Sequence, residues 1–223
     1  MAASSTVENY LKAVYLAQSQ LRGERTLVPM GQLSSALGVV PGTATTMVKA
    51  LAESGLVEYE PYAGVRLTSA GEKLATMVLR RHRLVELFLV NVMGMSWAEV
   101  HDEAEQLEHV VSDRLIERID EMLGRPSTDP HGDPIPDANG TVRDPEYFSL
   151  LNCPLRVPLV IARIADQDRE FLRFVEEREL KPGQQVVLES RNEAADSVSV
   201  RGPGQRTVVL GTRAASKLLV HMA

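Results

Sequence analysis

A single cysteine, Cys153, stands among the 223 residues, so neither an internal disulfide nor a multi-cysteine zinc site can form. That predicts a reducing compartment and excludes thiolate metal centres. Long apolar runs are missing too: none approaches the roughly 18 to 20 residues needed to cross a bilayer. The first ten residues, MAASSTVENY, are not a basic region followed by an apolar stretch. The expectation is a soluble, cytoplasmic protein with no membrane partner. Repeats and low-complexity tracts are also absent.

With 44% hydrophobic and 24% charged residues the chain is globular in composition, and its length predicts one or two domains with room for a third small module. The net charge of -6 conceals a segregation along the chain. Residues 1–83 hold 9 Lys+Arg against 6 Asp+Glu (+3), residues 84–150 hold 4 against 15 (-11), and residues 151–223 hold 11 against 9 (+2). The first segment can meet a polyanion, whereas a block at -11 repels itself unless it is solvated or bound to cations. His101, His109 and His131 lie in that block, and His82 stands at its border.

Ser5-x-x-Glu8 reads as a capping box opening a helix to about Gln20. Pro29 to Leu37 and Gly42 to Ser54 read as two helices joined by the tight turn Gly38 to Pro41, and Leu56–Glu60 with Val65–Leu67 as a hairpin. Ser69-x-x-Glu72 starts a long helix ending near Gly94. Ser96-x-x-Glu99 starts another that includes Val100, Leu107 and Val111, and Ser112 begins a continuation through Leu115, Ile119 and Leu123. Six prolines between 124 and 154 place a linker there. Beyond it, a strand at Leu155–Ile164, a helix at Asp168–Glu179 and short strands at 185–188, 197–200 and 207–210 predict a small β-rich domain. The predicted fold class is mainly α with a β-rich C-terminal part. Its domains are 1–70, 71–124, the linker 125–154, and 155–223.

Helix, turn, helix and hairpin make a winged helix-turn-helix, the second helix of which suits the B-DNA major groove. Pro41, Gly42, Thr43, Thr45 and Thr46 are small residues at its exposed start, which permits close approach to base edges. Lys49, Arg25 and Arg66 are candidates for phosphate contacts. A base-reading arginine is missing from that helix. Against this stands the bland alternative, a packed helical hairpin with an ordinary polar face.

The sharper signal is HDEAEQLEH from His101 to His109. On one helix, at about 100° per residue, His101, Glu105, Glu108 and His109 share a narrow arc. Carboxylates so crowded favour a bridging cation. His82 and Glu86 add an i,i+4 pair. Oxygen and imidazole donors without thiolate favour Mn²⁺ or Fe²⁺. A solvated acidic face is the alternative for each set alone. Cys153 reads as a small buried hydrophobe, and His131 and His221 as isolated.

The winged helix, the run His82-Arg-Leu-Val-Glu86, the stretch HDEAEQLEH and the motif His131-Gly-Asp-Pro-Ile-Pro136 occur in the order found in metal-dependent repressors of the diphtheria toxin repressor and manganese transport regulator (DtxR/MntR) family, which the chain resembles. The resemblance implies a homodimeric transcriptional regulator on double-stranded operator DNA, a repressor of metal-uptake genes, with an SH3-like barrel at its C-terminus. No enzymatic activity and no small-molecule substrate are expected. It implies one metal site from His82, Glu86 and His101 and a second from Glu105, Glu108 and His109. Glu105 stands where iron-responsive relatives carry a cysteine, which favours Mn²⁺ over Fe²⁺. The helix 1 ligand of relatives is Asn9 here, able to offer an amide oxygen, with Glu8 near it. Lys12 replaces an acidic neighbour, so the two-ion arrangement does not transfer whole. Asp168, then Glu170, fit the carboxylate that the C-terminal domain lends to the His82 site. The alternatives are a helical di-metal carboxylate enzyme and a metal-independent winged-helix regulator.

Overall fold

The structure is a computed structural model that describes residues 4–21, 27–143 and 145–223. The chain forms two compact units. The first contains residues up to His82, with Leu107–Ser112 and Pro136–Val142; the second contains Arg83–Gln106, Asp113–Ile135 and the chain from Arg143 onward.

In the first unit, α1 (Ser5–Gln20) is capped by Ser4, whose hydroxyl accepts the Val7 N–H at 3.4 Å. The expected cap at Ser5 is therefore one residue late, and its partner Glu8 is engaged elsewhere, as described below. The helix-turn-helix follows as α2 (Met30–Ala36) and α3 (Pro41–Glu53), with Gly38 at φ 64° in the turn and Pro41 at the first helical position, where a missing N–H costs nothing. Strands β1 (Val57–Glu60) and β2 (Gly64–Leu67) form the wing, antiparallel from Val57 opposite Leu67 to Glu60 opposite Gly64. Leu11, Val14, Leu33, Ala44, Val48, Leu51, Val57 and Val65 are buried together. They recur at helical spacing on α1 and α3, so one stripe of each helix is withdrawn from water.

Helix α4 (Ser69–Asn91) begins in the first unit and continues in the second. Helices α5 (Val100–Leu107) and α6 (Asp113–Met122) follow. Here the sequence reading needs two corrections. Ser96 does not open α5: its hydroxyl accepts the Ala98 N–H at 3.3 Å in a turn, and the helix starts at Val100. The helix also stops at Leu107, so Glu108, His109 and Val111 lie in the following turn.

The rest of the second unit is a six-stranded antiparallel sheet with β3 (Phe148–Ser149), β4 (Pro158–Ile164), β5 (Gln185–Asn192), β6 (Ser197–Arg201), β7 (Thr207–Gly211) and β8 (Leu218–Met222), in the order β3-β8-β4-β5-β6-β7. Helix α7 (Arg169–Glu176) follows β4, and α8 (Thr212–Ser216) joins β7 to β8. Leu159, Ile161, Leu188, Val198, Val200 and Val220 alternate inward and close a core with Trp97, Leu150 and Cys153. Cys153 is buried as expected, and burial pushes its thiol above the ordinary range. The short strands β3 and β8 and the helix α8 were missed by the sequence reading, since two to five residues carry too little periodicity.

Within the segment expected as a linker, His131 through Pro136 are buried. One Asp129 oxygen accepts the N–H groups of His131 (2.8 Å) and Asp133 (2.9 Å) and so closes a tight loop. No helix among the described residues is long and apolar enough to cross a membrane.

Candidate metal centre and DNA-facing surface

Because α5 ends at Leu107, the chain turns and Glu108 and His109 meet α1. The Glu108 side chain is fully buried. Lys12 of α1 places Nζ 2.7 Å from Oε1 and 2.9 Å from Oε2, and His82 Nδ1 lies 2.5 Å from Oε2. Burial alone would raise this carboxyl, but His82 and Lys12 outweigh it and hold it below the usual range. Next to it, His109 Nδ1 donates to Glu8 Oε2 at 2.6 Å, and Arg81 reaches both Glu8 Oε1 and the Glu108 carbonyl at 3.3 Å. The other ring nitrogen of His109, Nε2, is buried 3.3 Å from Glu108 Oε1, so the ring stands between the two carboxylates. The Oδ1 of Asn9 is buried and unpartnered.

The second unit holds a separate group. Glu86 is 1% exposed; its Oε1 lies 3.2 Å from His101 Nδ1, and its Oε2 lies 3.9 Å from His131 Nδ1. His101 Nε2 is 3.7 Å from Glu105 Oε1. His131 is fully buried, stacks on Trp97 with ring centroids 5.4 Å apart, and donates from Nε2 to the Trp97 carbonyl at 2.8 Å. Its Nδ1 lone pair is thereby turned inward. Glu86, Asp129 and His131 form a group with ligand atoms within 4.8 Å of one another. Asp129 is pushed well above the carboxylate range by burial and by the charges of Asp133 and Glu86, against the pull of Arg83.

Donors of these types fit a divalent first-row ion. Buried carboxylates and imidazoles converge, and the His131 ring is oriented by its hydrogen bond to the Trp97 carbonyl with Nδ1 turned to the other side, as in ligand histidines. The structure thus gathers Glu86, His101 and Glu105 in one unit and His82, Glu108 and His109 in the other, with His82 and Glu86 one turn apart on α4. Asp168 is occupied otherwise: it caps α7, accepting the Phe171 N–H at 3.0 Å. Glu170 lies in the first turn of that helix. Sequence reasoning gave His131 no role and saw Lys12 only as a departure. Loop packing around Gly132 and an ion pair across 96 residues leave no local pattern.

In the helix-turn-helix, Pro41, Gly42, Thr43, Thr46 and Lys49 are exposed on α3, and Thr45 is half-buried. Thr45 and Thr46 donate their hydroxyls to the Pro41 and Gly42 carbonyls at 2.8 and 3.0 Å, which leaves methyl groups and oxygen lone pairs outward. Arg66 is exposed on the wing but paired with Glu58, Nε to Oε2 at 2.6 Å. Arg25 lies outside the described residues.

Residues 3–65 match the family described as iron dependent repressor, N-terminal DNA binding domain, and residues 68–137 match its metal binding and dimerisation domain. The chain belongs to the DtxR/MntR family of metal-dependent transcriptional repressors. Residues 148–222 match the FeoA domain, which accords with an SH3-like six-stranded sheet. An uncharacterized HTH-type transcriptional regulator of Methanocaldococcus jannaschii is 34% identical over 116 residues, 52% of this chain and 90% of that one. The iron-dependent repressor IdeR of Mycobacterium leprae is 27% identical over 217 residues, 92% of each. Among solved structures, a manganese-dependent transcriptional repressor in complex with manganese is 40% identical, with a TM-score of 0.88 over 97% of this chain and all of that one. The repressor ScaR with bound Zn²⁺ is 29% identical with a TM-score of 0.76, covering 97% of this chain and 99% of that one.

Proposed function

We propose that this DtxR/MntR member binds a palindromic operator in double-stranded DNA as a cytoplasmic homodimer and represses metal-uptake genes when Mn²⁺, or next Fe²⁺, is abundant. The observation that carries the reading is Glu86, a carboxylate withdrawn from solvent and shared between two imidazoles, on the helix that also carries His82. Glu86, His101 and Glu105 would hold one ion. The donors of a second position, Glu108, His109 and Asn9 with Glu8, stand against α1. A bound ion supplies positive charge and directional ligation, and so favours one arrangement of the parts that carry its ligands.

The chain's own residues then do the reading. Thr43, Thr45 and Thr46 present small faces to base edges, while Lys49, Arg66 and Arg25 meet phosphates. Two copies of α3 enter successive major grooves only at a separation near one DNA turn, about 34–36 Å. Selectivity rests on hardness: Glu105 offers oxygen where a thiolate would favour softer ions. Similarity to an iron-dependent and to a manganese-dependent repressor supports a divalent ion generally, and the donor set favours Mn²⁺. A gel-shift series on the upstream DNA with Mn²⁺, Fe²⁺, Zn²⁺ and chelator tests the proposal. Retention of full operator affinity in chelator, or in Glu86→Gln with saturating Mn²⁺, refutes it.

A further inference from the structure

Lys12 has no counterpart in a purely metal-binding arrangement. Its ammonium is almost buried and touches both oxygens of Glu108, at 2.7 and 2.9 Å, the position a cation would take in front of a carboxylate. Each carboxylate of this group already faces a fixed cation: Lys12 stands against Glu108, and Arg81 against Glu8 and the Glu108 carbonyl. A divalent ion added there would stand beside two fixed positive charges in a buried setting, where like charges repel strongly. The buried Oδ1 of Asn9 needs only a dipole, which water can supply.

We infer that Lys12 is a built-in cation that takes the place of one divalent ion, so that Glu108 is tied to α1 permanently and the chain responds to a single ion held by the Glu86 group. This rests on the metal-dependent reading above and deepens it. In such a protein the link between α1 and the turn after α5 is already made in the apoprotein. Metal dependence falls wholly on the other donor set, and the response to ion concentration is non-cooperative within one chain. The other second-position donors, Glu108, His109, Asn9 and Glu8, all remain, so Lys12 is what keeps an ion out.

The test is metal content of the full chain after equilibrium dialysis against Mn²⁺, measured by plasma mass spectrometry, for wild type, Lys12→Met and Lys12→Glu. The expected result is one ion per chain in wild type and two in each variant. Lys12→Glu should gain thermal stability on Mn²⁺ addition in two steps rather than one. Two ions in wild type, or one in all three proteins, overturns the inference while leaving the metal-dependent reading intact. No ion in wild type overturns both. A second measurement needs no variant: in ¹⁵N-lysine-labelled wild type the buried ammonium gives a slowly exchanging Nζ signal. That signal should persist at saturating Zn²⁺, and its loss refutes the inference even if the variants do not fold.

Discussion

Gly132 sits in the buried loop between His131 and Asp133 with φ at 86°, and a Cβ built on it would lie 2.0 Å from the Ala162 carbonyl oxygen and 2.8 Å from the Arg163 Cα. Both obstacles are backbone of β4, which is paired on one side with β5 and on the other with β8 and so cannot retreat. Replacement by alanine therefore forces the loop outward. The positive φ costs an L-residue about 1–2 kcal/mol, and overpacking against backbone costs about 1–3 kcal/mol more. Displacement also strains the hydrogen bond from Ile164 N–H to the His131 carbonyl, 2.8 Å long, of which the net value is about 1 kcal/mol. The expected loss for Gly132→Ala is about 3–6 kcal/mol, summing those contributions. The assay is urea unfolding of the chelator-treated protein followed by fluorescence of Trp97, the single tryptophan, which stacks on His131. With a slope of about 2 kcal/mol per molar urea, the midpoint should fall by about 1.5–3 M. A fall of less than about 0.3 M would refute the claim that this loop is locked against β4.

Glu58→Gln should release Arg66 on the wing, tighten operator binding and steepen the salt dependence of log K by about one unit per half-site, whereas Arg66→Ala should weaken binding; equal affinities across the series would remove the wing from the interface. Glu105→Cys should shift activation midpoints from Mn²⁺ towards Zn²⁺ by about tenfold or more, as metal titrations of operator binding would show. Unchanged relative midpoints would take Glu105 out of selectivity. In the C-terminal sheet domain, the hydrogen bond from Lys217 holds Asp166 below the usual carboxylate range, against the opposing effect of burial. A depressed folded value gives stability that is present above about pH 4 and lost as pH falls through it. Asp166→Asn should therefore flatten the acid limb of stability below about pH 4, measured by urea unfolding; an unchanged limb means the pair contributes nothing.

The sequence alone determined the winged helix. Leu33, Ala44, Val48 and Leu51 recur at a period that permits one buried stripe, and Gly38 and Pro41 punctuate the turn by backbone geometry that only such residues tolerate. It also narrowed the donor types, since a chain with a single cysteine cannot build a multi-thiolate site and is left chiefly with oxygen and imidazole donors. The 101–109 motif was visible as a spacing, but its reading as one continuous helical arc was wrong. The helix ends at Leu107, and no residue nearby announces that end as clearly as glycine or proline would.

Only tertiary structure decided what the donors face. Lys12 and Glu108 are 96 residues apart, and their pairing follows from how α1 lies against the turn after α5, a matter of packing rather than period. The same holds for His131, isolated in the sequence. Its environment is set by Asp129 closing the loop, by Gly132 pressed on β4 and by Trp97 beneath the ring. Local periodicity records which face of an element is apolar. Coulombic interactions among buried groups depend on distances in space, and those distances exist only once the chain has folded.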